Sequence, residues 1–246
     1  SLYELDIAFD QISEKEEVPL WLVDRLFRNL LTDLTGNTHR AEFCIDKLYS
    51  PDSDTGRLGL LEMRGFEMAP HPQMSLLMTL LGRACIACFW KTRYDHKLIR
   101  WGTRLHDQFM LPQRLWEDLA DVVQFLNSNG YSFQLDWFRP FLEFRFPKYG
   151  STQIGPVKLE LRLALEAWNV MGEELYQGAV SRGVDAAVER LQVKIEGFID
   201  SRYVVTCNGR RLPLKPTSEN GTFIAGVRFK AWPTPSGLHP TLPVNS

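Results

Sequence analysis

Arg190-Leu191-Gln192-Val193-Lys194-Ile195-Glu196 places an apolar residue at every second position. Successive side chains of a β-strand point to opposite faces, so this run, from Val188 onward, reads as a half-buried strand. The same period of two marks 141–146, 157–163, 203–207 and 223–232. Asn208-Gly209 lies between two of these runs and is a strong signal for a two-residue hairpin turn. Short alternating strands joined by tight turns make antiparallel sheet, and this texture dominates after Phe133.

Before Phe133 the texture is helical. Leu22, Leu26, Leu30 and Leu34 recur every fourth residue behind Pro19, which suits a first helical turn, and Thr35-Gly36-Asn37 reads as the end of that helix. Residues 73–94 read as a long, largely buried helix. Leu111-Pro112 opens another helix that Gly130 closes. Residues 2–12 suit a short helix or a strand, 40–48 a strand or irregular segment, and 58–66 a buried strand. Residues 14–17 read as a solvated turn, and the Pro-rich stretch after Trp232 as an extended tail. The fold class is therefore α+β: a helical N-terminal part around a short sheet over 1–132, and an antiparallel, β-rich part over 133–246.

Composition narrows the function classes. The chain has 246 residues and a formal net charge of −2, with 28 Lys and Arg against 30 Asp and Glu. A nucleic-acid binder usually carries a basic excess, and this chain carries none. Four scattered cysteines do not make a disulfide scaffold, so a reduced, cytoplasmic setting is the expectation. The apolar stretch from Met74 to Trp90 is interrupted by Thr79, Gly82 and Arg83, and no membrane span is expected. The chain starts at Ser1 without Met and reads as an internal piece of a longer protein.

Glu-x-Arg occurs three times, as Glu62-Met63-Arg64, Glu143-Phe144-Arg145 and Glu160-Leu161-Arg162. That is a modest excess over chance placement of 16 Glu and 19 Arg. On a strand the two charged residues of each pair share a face. Carboxylates so placed suit Mg²⁺, and a neighbouring guanidinium suits phosphate or carboxylate. The same pairs equally suit cross-strand ion pairs on a solvated sheet surface. His39-Arg40-Ala41-Glu42 is dense in functional groups and reads as a site segment or a polar edge strand. His106-Asp107 suits a base and its orienter, or a structural histidine. Cys85-x-x-Cys88 has no second ligand pair and reads as core packing. Glu166, Glu173 and Glu174 suit a metal site, or more readily a solvated loop. The common phosphate loops and the nucleophile elbow are absent.

Longer strings carry a resemblance. Trp21-Leu-Val-Asp-Arg-Leu-Phe-Arg-Asn-Leu-Leu31 and Gly36-Asn-Thr-His-Arg-Ala-Glu-Phe-Cys-Ile-Asp-Lys-Leu-Tyr-Ser-Pro-Asp52 are two. Leu105-His-Asp-Gln-Phe-Met-Leu-Pro112, Val188-Glu-Arg-Leu-Gln-Val-Lys194 and Tyr203-Val-Val-Thr-Cys-Asn-Gly-Arg-Arg211 are three more. Together they resemble a bacterial family of unknown function described as amidoligases, in large proteins linked to transglutaminase-like domains. The resemblance implies a superfamily shared with glutamine synthetase and glutamate–cysteine ligase. It also implies ATP and Mg²⁺ as cofactors, and a carboxylate joined to an amine through an acyl phosphate.

Gly59-Leu-Leu-Glu-Met-Arg-Gly-Phe-Glu-Met-Ala-Pro70, with the helix after it, resembles a late strand of those ligases. By that resemblance Glu62, with Glu67, would face metal, and Arg64 would grip phosphate or the substrate carboxylate; Glu42, from the dense segment 39–47, is a further metal candidate. Arg40 and His39 are further catalytic candidates, and Arg145 and Arg162 further nucleotide-binding ones. The family's earlier carboxylates lie upstream of the point matching Ser1, so the chain is expected to be inactive alone. Expected partners are a transglutaminase-like domain and a peptide or amino-acid substrate, without nucleic acid or membrane. The alternatives are a non-enzymatic β domain that binds a peptide or partner, and a degenerate ligase kept as a scaffold.

Overall fold

The structure, a computed structural model, describes residues 2–13, 17–32, 38, 41–176, 179–198 and 203–231. The chain forms two compact units. One comprises Ser1–Met78, Arg93–Arg100 and Met171–Gly183, the other Thr79–Thr92, Trp101–Val170 and Val184–Ser246. The fold is α+β, with a helical N-terminal part and a five-stranded antiparallel sheet in the C-terminal part.

In the first unit, α1 (Leu2–Ser13) and α2 (Leu20–Phe27) pack through apolar stripes at helical spacing. Leu5, Ala8 and Ile12 meet Val23, Leu26, Phe27, Ile45 and Leu48. The small Ala8 side chain allows the close approach, and the Phe9 and Phe27 rings lie 4.9 Å apart. Residues 2–12 thus resolve as helix. The second helix stops sooner than its leucine spacing suggests, passing into a 3-10 turn at Arg28–Leu30. Arg25 and Arg28 reach across to Asp52 at 2.6 to 2.9 Å. They hold the loop Ser50–Gly56, in which the backbone N–H of Ser50 donates to the Gly56 carbonyl. A Cβ on Gly56 would stand 2.7 Å from that of Ser50, so only glycine allows this closure.

β1 (Phe43–Cys44) pairs antiparallel with β2 (Glu62–Met63). The buried strand expected over 58–66 is reduced to these two residues of β2, and Leu58, Leu60, Leu61 and Phe66 around them are exposed. α3 (Pro72–Lys91) confirms the long helix but not its burial, because only Met74, Ala84 and Cys88 are buried. Trp90 is 88% exposed. A helix apolar on all sides does not announce which side is covered. By length and composition alone, α3 is long and apolar enough to cross a membrane.

The second unit contains α4 (Leu105–Phe109), α5 (Pro112–Ser128) and α6 (Arg139–Arg145), then β3 (Lys148–Ile154) and β4 (Val157–Ala164). α5 starts at Pro112 and is closed by Gly130 at φ +87°, as the sequence reads. α6 overturns the strand expected at 141–146. Pro140 fits its first turn, Phe138 and Phe141 meet at helical spacing with centroids 6.1 Å apart, and Pro147 ends it. β5 (Asn169–Tyr176) and β6 (Ala179–Asp185), which lie mostly within the first unit, form a two-stranded sheet that the sequence reading missed. β7 (Val188–Glu196), β8 (Thr206–Cys207), β9 (Arg210–Arg211), β10 (Lys215–Pro216) and β11 (Thr222–Lys230) follow. Asn208 and Gly209 turn β8 into β9 at φ +48° and +77°, the left-handed pair that such a turn demands.

The main sheet runs in the order β10-β11-β7-β4-β3 with every pairing antiparallel. One face is apolar: Leu159, Leu161, Val193, Ile195, Phe223 and Val227 pack beneath Phe198, Tyr203, Val205, Leu212 and Leu214. Ile195 is fully buried, worth roughly 1.5–3 kcal/mol of transfer free energy. The other face carries Glu160, Arg162, Arg190, Gln192 and Lys194. It is joined to α5 and α6 through Gln113, Glu143 and the cluster Leu111, Ala164 and Ile224. The Pro-rich tail expected after Trp232, the turn at 14–16 and the helix end at 35–37 lie outside the described residues.

Candidate functional site

Arg64 continues β2, and its backbone N–H donates to the Glu42 carbonyl at 2.7 Å. Its guanidinium folds back along its own strand: Nε donates to Oε1 of Glu62 at 2.9 Å and Nη2 to Oε2 at 3.1 Å. This is the shared strand face that Glu-x-Arg spacing implies. Nη1 donates to the Thr38 carbonyl. Thr38 Oγ1 in turn donates to Asp46 at 2.9 Å and accepts from the Cys44 thiol at 3.8 Å. The Glu62 bonds raise the Arg64 pKa above its ordinary value, against desolvation, and the nearby Cys44 and Asp46 add to this.

Arg64 is 19% exposed and Glu62 52%, so the pair stands at the surface. Glu42, just before β1, and Glu67, beyond β2, are exposed. His39 and Arg40 lie outside the described residues. Both oxygens of Glu62 are engaged by Arg64, and no group of three or more His, Cys, Asp or Glu comes together among the described residues. This donor set does not fit a Mg²⁺ ion, which asks for several free oxygens in octahedral array.

Arg145 and Arg162 belong to the other unit. Arg162, on β4, is 9% exposed and grips both oxygens of Glu143 at 2.9 and 3.1 Å. It also donates to the Phe146 carbonyl at 2.8 Å and to Glu160, its strand neighbour, at 3.3 Å. Burial alone would lower its pKa, but Glu143 and Glu160 outweigh that and raise it. Burial would likewise raise Glu160, yet Lys148 and Arg162 hold it below the usual carboxylate range. Arg145 is exposed two residues beyond Glu143 on α6, and residues so spaced on a helix do not share a face.

Of the remaining candidates, His106 offers its backbone carbonyl to Arg190 Nη1 at 3.0 Å, and Asp107 binds Arg190 and Lys215. Burial pushes Asp107 up, but the bonds from Lys215 and Arg190 bring its pKa below the ordinary value. Glu166 is not in a solvated loop: it is almost buried and pairs with Arg228 at 2.8 Å. Glu173 sits on β5 beside Arg182. Cys88 is buried, and burial pushes the Cys85 thiol up, as core packing requires. The sequence reading passed over Arg190, Gln192 and Lys194 as site residues. The alternation that revealed their strand already placed them on one face, but not beneath helices.

A family model described as "Putative amidoligase enzyme" matches residues 1–246, the full length of the chain. No curated protein and no solved structure matches it.

Proposed function

The chain belongs to the family described as "Putative amidoligase enzyme", and from that premise we propose that it serves ATP- and Mg²⁺-dependent joining of a carboxylate to an amine. The match along the full chain is the observation that carries this reading. ATP supplies the phosphoryl group that activates a carboxylate toward an amine. The Glu62 donor set does not fit the metal, so no step is assigned to it here.

Arg64 has the role of holding negative charge. Its guanidinium is oriented in advance by Glu62 and the Thr38 carbonyl, a geometry suited to a bidentate grip on carboxylate or phosphate. The pair with Glu62 is exposed, and such pairs contribute only about 0–1 kcal/mol. An incoming anion can therefore displace Glu62 at small cost, freeing that carboxylate to face the amine.

A thermal melt of the 246-residue chain with millimolar Mg-ATP tests the reading. A ligand at about 100 times its dissociation constant adds about 2.7 kcal/mol of stability, a shift of several degrees. The expected result is a shift that needs Mg²⁺ and is lost in Arg64→Ala. No shift in the unmodified chain removes the nucleotide site from it, and an undiminished shift in Arg64→Ala removes Arg64 from that site.

A further inference from the structure

Asn-Gly occurs at Asn129-Gly130, Asn208-Gly209 and Asn220-Gly221, and each of these asparagines is exposed. All six residues belong to the second unit. The dipeptide carries a reaction of its own. The glycine backbone nitrogen loses its proton and attacks Cγ of the asparagine side chain. The new C–N bond closes a succinimide ring, and the side-chain nitrogen leaves as ammonia. Glycine permits this because no Cβ bars the approach of its backbone. Water then opens the ring at one of its two carbonyls and leaves aspartate or isoaspartate. The reaction needs a glycine N–H that can give up its proton and an asparagine side chain that can turn back onto it.

The fold sorts the three positions. Asn129 stands at the C-terminal end of α5. Its Nδ2 donates to the Phe125 carbonyl at 2.8 Å, and the Gly130 N–H donates to the Asn127 carbonyl at 3.1 Å. Both reacting groups are committed there, so reaction requires the last turn of the helix to open.

Asn208 and Asn220 sit in β-turns. Asn208 and Gly209 are the central pair of the β8–β9 turn. Asn220 and Gly221 are the central pair of the turn before β11, which the Thr222 N–H closes on the Glu219 carbonyl at 3.1 Å, with Gly221 at φ +73°. The bond that closes a four-residue turn joins its first and fourth residues and leaves the third, here glycine, outside it. Among the described residues, neither the Gly209 nor the Gly221 nitrogen donates to a backbone carbonyl.

We propose that Asn208 and Asn220 are sites of spontaneous deamidation and that the helix end spares Asn129. Each conversion adds one negative charge to a chain whose formal net charge is −2. Isoaspartate also routes the backbone through its side chain and lengthens it by one carbon. A two-residue hairpin turn has no slack for that, so conversion at Asn208 disturbs the pairing of Thr206 with Arg211 and of Cys207 with Arg210. Next to these pairs the Leu212 N–H donates to the Val205 carbonyl at 2.9 Å, and both side chains cover the apolar face of the main sheet. The converted chain is thereby a substrate for an isoaspartyl carboxyl methyltransferase. Neither site includes Glu62 or Arg64, so the proposal stands or falls separately from the ligase reading.

Prolonged incubation of the full chain in mildly alkaline buffer tests this, with one sample folded and one in concentrated urea. Peptide mass mapping follows each Asn-Gly, and a carboxyl methyltransferase reports isoaspartate. Dividing each folded rate by the same site's rate in urea removes the effect of neighbouring sequence. The quotient at Asn208 and at Asn220 is expected to exceed that at Asn129 by at least about tenfold. In Asn208→Gln with Asn220→Gln, the folded chain should no longer drift to acidic forms on isoelectric focusing. A quotient at Asn208 or at Asn220 no larger than that at Asn129 overturns the proposal without reference to any variant.

Discussion

Replacing Arg162 by methionine keeps the apolar stem and removes the guanidinium. Three groups lose their donor. Glu143, on α6, is 47% exposed and can turn to water. Glu160 is less exposed but keeps Lys148 at 3.1 Å. The Phe146 carbonyl, on a buried residue, loses its 2.8 Å bond to Arg162. Breaking a buried ion pair by removing one partner costs about 3–5 kcal/mol. The exposure of Glu143 and the survival of the Lys148 pair argue for the lower end, about 3 kcal/mol. For a chain of this size, 1 kcal/mol moves a melting temperature by about 2–4 °C, so Arg162→Met should melt about 6–12 °C lower. Arg162→Lys, which restores charge but not the two-pronged grip, should fall between. The assay is thermal unfolding followed by far-ultraviolet circular dichroism, with urea unfolding as a second measure. A change of less than about 2 °C in Arg162→Met would refute the argument, because the guanidinium would then be a hydrated group rather than the tie between sheet and helix.

Other consequences can be measured on the same protein. A Cβ on Gly226 would stand 2.4 Å from Nε of Arg190, whose guanidinium is pinned by Asp107 and the His106 carbonyl, so Gly226→Ala should cost about 1–3 kcal/mol by urea unfolding. That cost should shrink in an Arg190→Ala background, and an unchanged cost excludes the clash as its origin. Hydrogen bonds from Arg25 and Arg28 hold the Asp52 pKa down to about 2, below its ordinary 3.8. A depressed folded-state pKa gives stability that is present above the unfolded value and lost as pH falls toward 2. Asp52→Asn should therefore lose to the unmodified chain above pH 4 and approach it near pH 2; parallel stability curves would contradict this. Cys207 should alkylate before Cys44 and Cys88, which are buried, and peptide mass mapping after brief iodoacetamide treatment would show the reverse order if their burial were absent.

How much of this was legible beforehand differs from element to element. α5 carries its own start and stop in Pro112 and Gly130, signals that act within one helical turn. The β8–β9 turn is likewise written in Asn208-Gly209, because few residue pairs tolerate two successive left-handed backbones. The segment 141–146 misled because Phe141, Glu143 and Arg145 alternate while Phe138, Phe141 and Leu142 also keep helical spacing. Its six residues are too short for period alone to choose, and packing on Phe138 decided for helix. Within the candidate site, the pairing of Glu62 with Arg64 followed from strand geometry.

The sequence by itself determined what neighbours along the chain can settle: strand alternation, helix ends, the hairpin turn, and which charged residues share a face. The α+β class followed from those. Burial was decided only by tertiary structure. Three identical Glu-x-Arg spacings became an exposed pair on β2, part of the helix α6 and a buried pair on β4. Arg162 meets Glu143 across 19 positions, and Arg190 meets Asp107 across 83. The strength of a charge pair depends on how much water surrounds it, and that is set by segments far away in sequence.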